Sequence, residues 1–230
     1  MPTLSLLCRL SLLVLVLATR VEPALAAPTT IDISAEASRS AVNDLARATV
    51  FAEATGATPG ELSKRINSLI TEGLKTAKGY ANVKTQSGGT QSYPVYGKGG
   101  KIDTWRMRSD LTLESSDASA LSELLGKLQT SLAVSSIIML PAPETRKKAE
   151  NDAILDAVSA FKSRAKLLAD ALGKSYRIKQ LSISSNGRQP PMPMMRASAG
   201  FASADSVPMP IEGGESQISA NISGQIELLE

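Results

Sequence analysis

The sequence has no histidine at all, and its one cysteine is Cys8, close to the N-terminus. Imidazole general bases, Ser-His-Asp nucleophiles, thiol chemistry and His/Cys metal sites therefore lose their usual side chains together. Carboxylate pairs, lysine bases and tyrosine acids remain open to it. An excess of one charge sign is also missing: 25 basic against 22 acidic residues leave +3. Nucleic-acid binders gather Lys and Arg on one face, and so small a balance is not that footprint. A long apolar run is lacking too. The stretch Leu10 to Ala18 is about nine residues, against roughly 20 for a membrane-spanning helix, so no stable membrane anchor is expected.

What is present at the N-terminus has the order of an export signal. Arg9 precedes the apolar stretch, and Arg20, Glu22 and Pro23 follow it before a run of small residues. Ala24-Leu25-Ala26 offers the small-x-small pattern of a cleavage site, which predicts a leader over 1–26 and a mature chain over 27–230. Cys8 follows Leu7 and lies ahead of the apolar stretch, a poor setting for a lipid anchor. Without Cys8 the mature chain has no thiol, so its stability is expected from an apolar core and not from disulfides. About 200 residues suffice for one such core in a single domain. The expected location is periplasmic or secreted.

Along the mature chain, Thr30 to Ala37 and Leu45 to Glu53 alternate like strands, and the polar Arg39 to Asp44 between them predicts a hairpin. Thr58-Pro59-Gly60-Glu61 starts a helix, with Thr58 as cap and Pro59 at the first position; Leu62, Ile66, Leu69, Ile70, Leu74 and Ala77 form its apolar stripe. Val83–Tyr96 and Lys101–Glu114 read as a hairpin joined by Gly97-Lys98-Gly99-Gly100. In its second arm Trp105, Met107, Leu111 and Leu113 fall on one face, and Arg106, Arg108, Asp110 and Glu114 on the other. Asp117 caps a second helix with Leu121, Leu124, Leu125, Leu128 and Leu132 inward. The wholly apolar Val134–Leu140 reads as a central strand covered on both faces.

After Pro141-Ala142-Pro143 a third helix is expected over Glu144–Leu172, stopped at Gly173, and about 40 Å long. It carries two rows: Ile154, Val158, Phe161, Ala165, Leu168, Leu172, and Ala149, Ala153, Ala157, Ala160. Strands are expected over Tyr176–Ser184 and Gln217–Leu228, with a mobile Pro/Met/Gly-rich loop over 185–215 between them. The reading is α+β: one mixed, largely antiparallel sheet backed by three helices, in the order β-β-α-β-β-α-β-α-β-β.

Two stretches carry a further likeness. Ser92-Tyr93-Pro94-Val95-Tyr96 leads through the glycine turn into Trp105-Arg106-Met107-Arg108-Ser109. The long helix runs from Ala153 through Ala157, Phe161, Arg164 and Ala165 to Ala171-Leu172-Gly173, ahead of the closing strand. On these the chain resembles the SIMPL-domain (DUF541) family of periplasmic or secreted proteins, over nearly all of its mature length. Members of that group often carry a Gly-rich opening and a Pro-Asp pair; here Ala35-Glu36-Ala37-Ser38 and Asn43-Asp44 stand instead. The resemblance implies an envelope protein without an established reaction, some relatives being linked to stress tolerance or recognised as surface immunogens.

Candidate sites are few. Met192, Met194, Met195 and Met209 gather thioethers, soft ligands of the kind that select Cu(I), although no histidine completes a mixed site and the bland reading is a linker. Tyr93, Arg106 and Arg108, near Trp105 and Tyr96, form a second candidate, a patch for a carboxylate or phosphate; its bland alternative is a solvated strand face. Glu212 and Glu215 are a carboxylate pair in the loop. No catalytic residue and no cofactor is assigned. The long helix and the edge strands, the last strand among them, suit self-association, so the partner expected first is the chain itself. A non-enzymatic, exported interaction protein is the first reading, a small-ligand or Cu(I) binder the second, and a carboxylate or lysine enzyme the third.

Overall fold

The structure, a computed structural model, describes residues 28–185 and 213–229. The element order is β1 (Thr30–Val42), β2 (Leu45–Gly56), α1 (Pro59–Ala77), β3 (Lys84–Tyr96), β4 (Ile102–Ser115), α2 (Ala118–Leu128), β5 (Ala133–Leu140), α3 (Pro143–Ala171), β6 (Ser175–Ser185) and β7 (Glu215–Leu229). The α+β class and the strand and helix order are those the pattern predicts. The number of sheets is not: the strands divide into two antiparallel sheets, β1-β7-β6 and β3-β4-β2-β5.

That division follows from the first connection. A two-residue hairpin between β1 and β2 would need left-handed residues at its turn, yet no non-glycine residue among those described has positive φ, Asn43 and Asp44 included. The chain therefore does not fold back on itself. It runs on from one sheet into the other, and the connector is fastened to distant segments. The Asn43 amide donates to the Gly214 carbonyl at 2.8 Å, and Ser216 donates to Asn43 Oδ1 at 2.7 Å. β1 pairs instead with β7, from Thr30↔Glu227 to Val42↔Glu215, while β2 pairs with β4 and β5. The predicted β1–β2 hairpin is thus replaced by long-range pairing.

The β3–β4 hairpin forms as expected, with Gly99 at φ +89° and Gly100 at φ +74° in its turn. Both predicted caps are in place: Thr58 accepts from the Glu61 amide and Asp117 from the Ala120 amide. α1 and α2 cover one face of the four-stranded sheet, burying Ala46, Ala48, Val50, Leu111 and Leu113 of the strands against Leu62, Ile66, Leu121, Leu124 and Leu128 of the helices. β5 is not central. Among the described residues it pairs only with β2 and forms an edge, its apolar character explained by Val134, Ile137 and Met139 packing on this cluster.

α3 covers the three-stranded sheet, lying over β1 and β7 more than over β6. Its buried row is Ala149, Ala153, Ala157, Phe161, Ala165 and Ala169. Of the larger row expected to face inward, Ile154 and Val158 are only partly buried, and Leu172 is exposed. Small side chains let the helix axis approach the strands, and Phe161 fills the space above Gly224. β7, read from the sequence as an available edge, lies in the middle of its sheet; β1 and β6 are the edges. Apart from its two ends, the loop expected over 185–215 lies outside the described residues.

Candidate functional site

Alternation along β2 and β4 places Arg47, Phe51 and Glu53 beside Arg106, Arg108, Asp110 and Glu114 on the face that α1 and α2 leave open. β3 adds Tyr93, directly opposite Arg106, and Gln91, opposite Arg108. The three residues of the predicted patch, Tyr93, Arg106 and Arg108, are therefore brought together. Trp105 is turned to the other face and packs on the helical cluster, and Tyr96 is exposed near the turn.

The patch is largely self-satisfied. The Arg108 guanidinium stacks 3.6 Å from the Phe51 ring centroid, donates to Asp110 Oδ1 at 3.0 Å and reaches Ser135 Oγ at 3.3 Å. Arg106 lies 3.8 Å from Glu53, and Arg47 2.7 Å from Glu114. Each guanidinium has its own carboxylate, so an incoming anion would have to displace one. Phe51 was the residue missed from sequence, although the alternation of Leu45 to Glu53 puts it on the polar face.

The open face of the three-stranded sheet is different in kind, built from Ser34, Ser182, Ser223, Gln180 and Gln225 around Asp32, and holding a shallow groove of about 400 Å³. Gln225 donates to Asp32 at 3.3 Å. It contains neither a carboxylate pair nor a nucleophile beside a base.

The charge shifts lie elsewhere and are structural. Asp44 is held below the usual carboxylate range by the Ala142 amide at 2.6 Å and the Thr145 hydroxyl at 2.5 Å. Glu123 is lowered by the Tyr80 hydroxyl and then by Lys127. Among the described residues no group of three or more His, Cys, Asp or Glu could hold a metal ion. The thioethers Met192, Met194, Met195 and Met209, and Glu212, lie outside the described residues. Among those residues, too, no helix is long and apolar enough to cross a membrane.

The strand edges separate more sharply. Natural sheets blunt their edges with charge, bulges, proline or covering groups. On β1, Arg164 of α3 donates to the Ser34 carbonyl and Arg39 pairs with Asp156 at 2.5 Å. β3 carries Pro94 and two register irregularities. β5 has a register shift beside Thr49 and half-buried side chains. Among the described residues, β6 is hydrogen-bonded to α3 near its ends, through Tyr176 to the Lys162 carbonyl and Ser185 to Glu150. Between them Ile178, Leu181 and Ile183 are 41%, 40% and 50% exposed.

No curated protein matches this chain. Solved structures match at low similarity. AtUAH in complex with glyoxylate is 13% identical, with a TM-score of 0.26, over 47% of this chain and 27% of that one. A Burkholderia cenocepacia chain described as an amidohydrolase/peptidase is 12% identical, with a TM-score of 0.25, over 46% and 28%. The chain thus spans little more than a quarter of the length of these structures, and scores so low carry no argument about its chemistry. Residues 31–226 match a family across both sheets and all three helices, and the chain belongs to that family, SIMPL, described as a protein of unknown function (DUF541).

Proposed function

We propose that the protein is an exported, non-enzymatic envelope component that assembles with copies of itself and contributes to envelope homeostasis or stress tolerance. In this reading the leader over 1–26 directs export and is removed, and the body works in the periplasm or outside the cell. The observation that carries it is β6, a sheet edge whose aliphatic side chains Ile178, Leu181 and Ile183 remain exposed. Leu155 and Leu167 of α3, at 68% and 69% exposure, add apolar surface on the same layer. Burying side chains of this size is worth roughly 1.5–3 kcal/mol each when complete, so a few half-exposed ones are a real gain for a partner that covers them.

Sedimentation velocity of the exported protein over a wide concentration range tests the assembly, and N-terminal sequencing of the same material tests the leader. A concentration-independent monomer counts against self-association. Material still bearing Met1 in the cytosolic fraction counts against export.

A further inference from the structure

We infer that the seam of self-assembly is an antiparallel pairing of β6 with β6 of a second copy, about a two-fold axis through Ser182. This rests on the self-assembly reading above and gives it a register. The strand changes character at its bulge, between Ile178 and Gln180. Before it, Arg177 is tied to Glu227 of β7 at 2.8 Å; at the bulge, Lys179 supplies the edge charge that discourages pairing. After it, Gln180 to Ser185 carries no charge and no proline, and polar and apolar residues alternate from Gln180 to Ser184.

Such a stretch is self-complementary only in one sense. Antiparallel partners must share a face, and a two-fold contact sets the same patch against itself. Centring on Ser182 satisfies both: Leu181 meets Ile183 of the second copy on the α3 side, Gln180 meets Ser184 on the open face, and Ser182 meets its own equivalent. The same register sets Lys179 opposite Ser185 of the second copy, whose hydroxyl is bonded to Glu150. The cation that guards the free edge thereby gains a carboxylate at each end of the seam. α3 lies over β1 and β7 more than over β6. β5 offers less, since its side chains are already half-buried and pairing there would cover little new apolar surface.

The sequence supplies a clean probe, because Cys8 is its only thiol. In a full-length Cys8→Ser background, Ser182→Cys places two sulfurs across the axis. Opposed antiparallel Cα atoms lie about 4.5–5.5 Å apart, inside the range of roughly 4.4–6.8 Å that a disulfide spans. Under mild oxidation Ser182→Cys is expected to give a covalent dimer in most chains. Ser184→Cys alone is expected to give at least tenfold less, and a mixture of Gln180→Cys and Ser184→Cys chains to restore it. Leu181→Lys, with unchanged circular dichroism, is expected to raise the dissociation constant at least tenfold.

Oligomers in the centrifuge without cross-linking at Ser182 overturn this register and leave the assembly reading standing. A monomer overturns both. Efficient cross-linking through Ile138→Cys on β5, with Ser182→Cys silent, moves the seam to the other sheet and overturns the proposal.

Discussion

Replacing Asp44 by alanine takes away a helix cap that comes from another part of the chain. Ala142, at the N-cap of α3, has no side chain able to close the first turn. Asp44 does it instead, one oxygen accepting from the Ala142 amide at 2.6 Å and the other from Thr145 at 2.5 Å. An N-cap is worth about 1 kcal/mol, and a second bond at an exposed site adds about 0.5 kcal/mol. For a chain of this size a loss of about 1.5 kcal/mol lowers Tm by about 3–6 °C. The carboxyl is depressed from its ordinary 3.8 in the folded state, so the unfolded chain binds the proton more readily. Stability from this group is complete above about pH 5, declines as pH falls through 3.8, and is gone below the lowered folded value.

Differential scanning calorimetry of wild type and Asp44→Ala should accordingly show the full gap near pH 7 and a gap that narrows progressively as pH falls below 3.8. Asp44→Asn, which keeps an acceptor for the Ala142 amide, should fall between them. Equal Tm values at neutral pH, or a gap that persists unchanged in acid, would refute the reasoning.

Three further substitutions test the packing and the arginine face. Phe161→Ala empties the centre of the α3 layer, where the ring is 1% exposed; chemical denaturation should show a loss of about 3–5 kcal/mol. Gly224→Ala drives a methyl into the Gln180 carbonyl oxygen and to 3.1 Å from Phe161. Hydrogen exchange should then show β6 amides losing protection while those of β2 and β4 keep theirs. A double-mutant cycle between Arg108→Ala and Phe51→Leu should return a coupling of about 0.5–1 kcal/mol for the stacked guanidinium, and a value near zero would mean the contact adds nothing.

Local signals were readable because each depends on a few neighbouring residues. Thr58-Pro59 and Asp117 are helix starts, Gly99-Gly100 is a hairpin turn, and Gly173 takes the positive φ that stops α3. Alternation likewise assigned Arg106 and Arg108 to the wet face of β4. What alternation does not encode is the partner: Ile31 and Ile33 say that β1 has an inner face, and nothing in them names β7. The same gap made β5 look central, since an apolar run reads alike whether a strand is flanked on both sides or merely covered by helices on one face. On α3 the two candidate rows compete, and size misleads; the alanines win because the helix sits close to its sheet. Phe51 went unnoticed as part of the arginine patch because cross-strand neighbours, like strand partners, are a property of register.

The pairing of the first strand with the last has a consequence for how the molecule is made. By the time Leu140 has been synthesised, every piece of the four-stranded layer and both of its helices exists, and that half can close on itself. β1 was made earlier still, yet among the described residues the strand it pairs with is the final fifteen-residue one, so its ladder must wait while the whole of the intervening chain appears. Closing so wide a loop is slow and leaves an interval in which a bare strand is open to capture. A chain cut short before Glu215 would never end that interval, because β1 and β6 share no border and the strand that joins them would be missing.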